Sequence, residues 1–170
     1  MRINFLVALA FGAAMLPSAA HAAEAKDLQV IGRALSFVEG GAKGDVTVAV
    51  VYADDAAGSK AEAEQIVGLI GAGLAAGDVT IKAKLVPMSG LAGAGSVAAI
   101  YVPAGMSAYY SALGGTKKLT VGTDRACAVA GGCVLAVQSN PKVEILVNRA
   151  SASAASITFA AAFKMMIKEL

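Results

Sequence analysis

Leu28, Ile31, Leu35 and Val38 recur at i, i+3, i+7 and i+10, one face at helical period, and predict a helix over 27–38. Gly40-Gly41 stops it. Val46 to Tyr52 is a β-rich run that is apolar at odd and even positions alike, the mark of a strand covered on both faces in a parallel sheet. Asp54-Asp55 end it. Ser59, with Glu62 three places on, reads as the N-cap of a capping box. The helix it opens runs to about Ala76, turns Ile66, Leu69, Ile70 and Leu74 toward the sheet, and is capped by Gly77. In 79–86, Ile81, Ala83 and Leu85 alternate with Thr80, Lys82 and Lys84, which predicts a half-exposed edge strand. A glycine-rich linker over 87–96 precedes a short buried strand, 97–102, and a turn at Pro103-Ala-Gly105. Then follow a short helix over 106–113 and a strand over 118–121. The runs 133–138 and 143–147, around Ser139-Asn-Pro-Lys142, predict a hairpin. A last helix is expected from about Ser151 to Lys168, with Phe159, Phe163, Met166 and Leu170 as its core stripe. Lys164 and Lys168 near its end suit the helix dipole.

Helix and strand alternate, so the class is α/β. The expected domain is a single, mostly parallel sheet flanked by helices, a Rossmann/flavodoxin-like three-layer arrangement that closes with an antiparallel hairpin and a C-terminal helix. A hydrophobic fraction of 57% against 15% charged residues agrees with one compact core.

Residues 1–22 have a different character. Arg2, the apolar stretch from Phe5 to Leu16 and then Ala20-His21-Ala22 form the three parts of an export signal. Cleavage after Ala22 would leave a domain over 23–170 and place it in a bacterial periplasm. The later apolar runs are short and broken by glycine or charge, so no membrane-spanning segment is expected in the mature chain. Losing Arg2 lowers the net charge from +2 to +1. With only isolated basic pairs such as Lys117-Lys118, nothing attracts nucleic acid.

Location bears on Cys127 and Cys133, the only cysteines of the chain. Thiols in an oxidising compartment tend to pair. A zinc site wants four ligands, and the single histidine, His21, leaves with the signal. A thioredoxin-type centre wants C-x-x-C, whereas five residues intervene here. The pair therefore reads as a local disulfide, its loop eased by Gly131-Gly132. Closing so short a loop is worth roughly 2–2.5 kcal/mol in the chain-entropy model.

The missing imidazole also removes Ser-His-Asp and Cys-His catalysis from the mature chain. Walker and H-E-x-x-H patterns are absent, so no catalytic residue, metal or cofactor is expected. Asp54-Asp55, at the carboxyl end of the first strand, sit where receiver domains hold Mg²⁺. The companion acid after the third strand is missing, since that strand ends Tyr101-Val102-Pro103. The glycines of 90–96 lead from one strand into another rather than into a helix, which is not how a nucleotide fingerprint is built. Tyr109-Tyr110 is a candidate contact patch, one ring being expected to pack with Met106 and Leu113. Asn148 follows the last strand, where a cap or turn residue is the ordinary role.

The order of elements resembles the YfiR/HmsC-like family of small periplasmic proteins. The residues that carry the resemblance are Leu119-Thr-Val-Gly122, the cysteine corner, the hairpin, Val143-Glu-Ile-Leu-Val-Asn148 and the terminal segment, with Ile31-Gly-Arg-Ala-Leu-Ser-Phe-Val-Glu39 near the front. Gly40-Gly41 stand where that family often has Trp-Pro, and Arg149 where an apolar residue is frequent. The resemblance implies a non-enzymatic regulator that binds the extracytoplasmic sensor domain of an inner-membrane diguanylate cyclase and represses cyclic-di-GMP output. Asn148, Arg149, Tyr109 and Tyr110 are the expected contact residues, on a surface formed by the last helix and the disulfide corner; a homodimer stays open. Two alternatives stand beside this reading. One is a small-ligand binder related to one lobe of a transporter-linked solute-binding protein. The other is a redox sensor using Cys127 and Cys133.

Overall fold

The computed structural model describes residues 23–170. The leader and its cleavage point lie outside the described residues. The first helix, α1 (Ala25–Ser36), starts on a reciprocal cap in which Asp27 accepts the Glu24 amide at 2.9 Å. Val38 lies past its end and instead bridges Phe159. Strand β1 (Gly44–Tyr52) is central: Val46, Val48 and Val50 enter one apolar cluster and Ala49 and Val51 the other. The expectation of a doubly covered strand holds.

Helix α2 (Ser59–Ile70) is shorter than its pattern predicts, because Gly71 ends it with a positive φ. Leu74–Ala76 is not its last turn but a strand, β2, running antiparallel to β3 (Val79–Pro87) across a turn at Gly77. So β3 is not the edge of the sheet. Because β2 spans only three residues, the far half of β3 stays uncovered, which is why Lys84 and Leu85 are exposed. The apolar-polar alternation thus recorded a half-edge.

The remaining elements are β4 (Ala99–Tyr101), α3 (Tyr110–Gly114), β5 (Leu119–Gly122), α4 (Arg125–Val129), β6 (Leu135–Gln138), β7 (Glu144–Val147), α5 (Arg149–Ala154), α6 (Ala161–Lys164) and β8 (Lys168–Glu169). Sheet order is β2-β3-β1-β4-β5-β6-β7-β8. The five strands β3-β1-β4-β5-β6 are parallel, while β7 turns back on β6 as the predicted hairpin. This is an α/β domain of the expected class.

The long terminal helix is not formed. Ser156 has a positive φ, and the β-branched pair Ile157-Thr158 follows it. The chain breaks there, pairs Phe159 with Val38, and resumes as the short α6 and the edge strand β8, parallel to β7. Serine and β-branched residues weaken a helix interior, and the tertiary pairing takes over. Phe159 and Phe163 are core, stacked near Phe37, but Met166 and Leu170 are exposed.

The two sheet faces are covered unequally. Leu28, Ile31 and Leu35 of α1, Ala63, Ile66 and Ile70 of α2, and the two phenylalanines fill one face. On the other lie only short pieces: Met106, Leu113 and both cysteines, with Met88 and Leu91 at the margin. The sheet order changes direction at β1, so the ends of β1 and β4 open a crevice, the usual ligand position in such sheets.

Candidate functional site

Two regions gather the polar and exposed groups. The first is the crevice at the ends of β1 and β4. Ser59, expected as an N-cap, instead buries its hydroxyl against the preceding loop. It donates to the Ala53 carbonyl at 2.8 Å and accepts the Ala53 amide at 3.2 Å. The N-cap is Gly58, whose left-handed backbone turns the chain into α2. Glu62 is thereby free of capping duty. Its carboxylate accepts the Tyr101 hydroxyl at 3.1 Å and the Ala104 amide at 3.0 Å, tying α2 to the loop after β4. Thr123, at the end of β5, lies 3.3 Å from the same hydroxyl. Burial pushes the Glu62 carboxyl above its usual range, Asp124 adds to this, and the two donated hydrogen bonds offset part of it. Burial, then the charge of Glu62, raises the Tyr101 phenol well above its ordinary value.

Beside this clamp lies an open crevice of about 540 Å³, bounded by Tyr52, Asp54, Asp55, Pro87, Ser89 and Tyr109 among others. Tyr109 donates a hydrogen bond to Asp55, which raises its phenol. Lys60 sits 5.4 Å from the centre of the Tyr52 ring. Among the described residues no group of three or more His, Cys, Asp or Glu could hold a metal ion; Asp54 and Asp55 line the crevice.

The second region is the disulfide corner. Cys127 and Cys133 are bonded, with Cα atoms 5.2 Å apart and both side chains fully buried. The corner is held from two sides. Tyr110 packs its ring on Gly132 so closely that a Cβ there would lie 2.2 Å from Tyr110 Cγ. Asn148 caps α5 by accepting the Ser151 amide at 2.8 Å, and its amide group donates to the Ala128 carbonyl at 2.8 Å. Ser151 donates its hydroxyl to the Gly131 carbonyl at 3.1 Å. Arg149 points elsewhere, to Glu169 of β8 at 3.4 Å.

Of the four expected contact residues, then, Tyr110 and Asn148 converge on the corner as buttresses, Arg149 binds the edge strand, and Tyr109 belongs to the crevice. Exposed apolar side chains include Val129 of α4 (60% exposed) and, between α6 and β8, Met165 (87%) and Met166 (54%). Sequence reasoning missed the Glu62–Tyr101–Thr123 cluster. The available signal was a tyrosine in an otherwise aliphatic buried strand, whose hydroxyl needs a partner.

Among the described residues no helix is long and apolar enough to cross a membrane. No protein-family model and no curated protein matches the chain. Solved structures do. An ABC domain in complex with L-Trp, from Streptococcus pneumoniae, is similar at 15% identity and TM-score 0.53 over 85% of this chain. A conserved domain protein from Vibrio cholerae O1 biovar eltor is similar at 12% identity and TM-score 0.56, again over 85% of this chain. The match covers 59% of each of those two chains, and at these identities it bears on the fold alone.

Proposed function

We propose that this chain is a non-enzymatic regulator acting outside the cytoplasm, which binds the extracytoplasmic domain of an inner-membrane partner and restrains a diguanylate cyclase. The resemblance to the YfiR/HmsC-like proteins supplies the partner class. The observation that carries the reading is the exposed apolar surface of Met165 and Met166, between α6 and the edge strand β8. Exposed apolar side chains of this kind suit burial against another chain, while the two-residue, charged edge Lys168-Glu169 discourages unspecific strand pairing. A partner's output then changes only through unequal affinity for its two states.

The test is a photo-crosslinking residue at position 165 of the full chain in its own cells. Recovery of a membrane-anchored cyclase, together with a rise in cyclic-di-GMP when Met165→Asp/Met166→Asp replaces the parent, supports the reading. Unchanged cyclic-di-GMP on deletion of the protein, with no cyclase in the adduct, overturns it.

One observation favours a second reading, a small-ligand binder. The crevice at the ends of β1 and β3 belongs to a fold also found in a domain solved with L-Trp. A thermal-shift panel of amino acids and small solutes separates the two, since a contact-only regulator shifts with none of them.

A further inference from the structure

The connection from β3 to β4, residues 88–98, contains one 3₁₀ turn (Met88–Gly93) where a parallel crossover ordinarily carries a helix. That turn covers the sheet incompletely. A groove of about 420 Å³ remains, floored by Val97 and Ile100 and walled by Leu91 on one side and Ala112 and Thr116 on the other. Its size lies within the roughly 300–1,000 Å³ of small-molecule sites. Val97 and Ile100 are buried in the second apolar cluster, so the floor is hydrocarbon. Among the lining residues Lys118 alone carries charge. Two hydrogen bonds tie the covering segment to the sheet: Lys84 donates to the Ala94 carbonyl at 3.2 Å, and the Ala98 amide donates to the Thr47 carbonyl at 2.8 Å. The groove adjoins the acidic crevice through Met88 and Ala112, so negative charge lies beyond one end and positive charge in the lining.

We propose that this groove binds a small anionic amphiphile, its apolar body over Ile100 and its acidic group paired with Lys118. A cationic ligand would meet the lysine, and a wholly polar one would desolvate against the floor without recompense. The exposed position of Lys118 leaves room for the acidic group to keep part of its hydration. The site is independent of the regulator reading and of the crevice, neither of which uses Lys118.

The probe is 8-anilinonaphthalene-1-sulfonate, titrated by fluorescence into the folded chain. One saturable site per chain is expected. Ala92→Trp, an exposed position in the groove wall, should weaken binding at least tenfold, and Lys118→Gln about fivefold, with thermal midpoints unchanged. Lys43→Gln, remote from the groove, and Asp54→Asn, in the crevice alone, should leave the affinity within twofold. Equal binding by the parent and Ala92→Trp overturns the proposal, as does an equal effect of Lys118→Gln and Lys43→Gln. So does sedimentation showing a dimer that Ala92→Trp dissociates, because a second copy would then be the occupant.

Discussion

Gly132→Ala tests whether the disulfide corner is a rigid platform. The added Cβ would lie 2.2 Å from Tyr110 Cγ, 2.3 Å from Cδ1 and 2.8 Å from Cβ. An ordinary contact needs more than an ångström of additional separation from the nearest of these. The ring could swing outward, since Tyr110 is only half-buried, but its Cβ is fixed to the backbone of α3. The opposing side cannot yield freely either, because Gly132 adjoins Cys133 and the loop is closed by the disulfide. Overpacking of this kind costs about 1–3 kcal/mol, and two constrained partners place the expectation near the upper end, about 2–3 kcal/mol. For a domain of this size that is a fall in the thermal midpoint of roughly 5–10 °C. The assay is urea and thermal unfolding of the parent, Gly132→Ala, Tyr110→Gly and the double variant. Tyr110→Gly removes all three opposing atoms, so in that background the alanine should cost less than about 0.5 kcal/mol. A single-variant cost below about 0.5 kcal/mol, or an equal cost in both backgrounds, would refute the close packing and with it the rigid corner.

Cys127→Ala/Cys133→Ala should lower stability by about 2 kcal/mol, read as a shift in urea midpoint that vanishes when the parent is measured in reductant. Asn148→Ala removes both the α5 cap and the tie to Ala128, and should cost about 1–2 kcal/mol, with faster amide exchange through 125–133. The pH dependence turns on Glu62. Its folded pKa is raised, so between the ordinary carboxylate value and the raised one the folded state holds more proton than the unfolded state. This group therefore adds stability as the pH falls through its raised pKa toward 4.5, and opposes folding at neutral pH. In Glu62→Gln that slope in unfolding free energy should disappear, and an unchanged slope would place the titration on another group.

The connection between pattern and fold is uneven along the chain for identifiable reasons. Val46–Tyr52 and the hairpin runs expected at 133–138 and 143–147 are readable because burial on a sheet face acts on each residue where it stands. Leu74–Ala76 and 151–168 were misread because apolar spacing there fits a helix as well as it fits short pieces docked separately. The choice was made by partners distant in sequence: β3 for the first, Val38 and β7 for the second. Glu62 illustrates the same point chemically. Its spacing from Ser59 satisfies the capping-box rule, yet the Ala53 backbone claims the serine and Tyr101 claims the glutamate.

From its order of residues alone, the chain determined its α/β class, the identity of its central strands, the pairing of its two cysteines and the lack of an imidazole in 23–170. Local pattern and composition suffice for these, because each depends on a residue's own chemistry or on near neighbours. Only the tertiary structure decided which acids face which hydroxyls, that the sheet ends in β8, and that one face is left with an open groove. Those outcomes depend on distances between segments far apart in the chain, where competing local preferences differ by about 1 kcal/mol and long-range packing outweighs them.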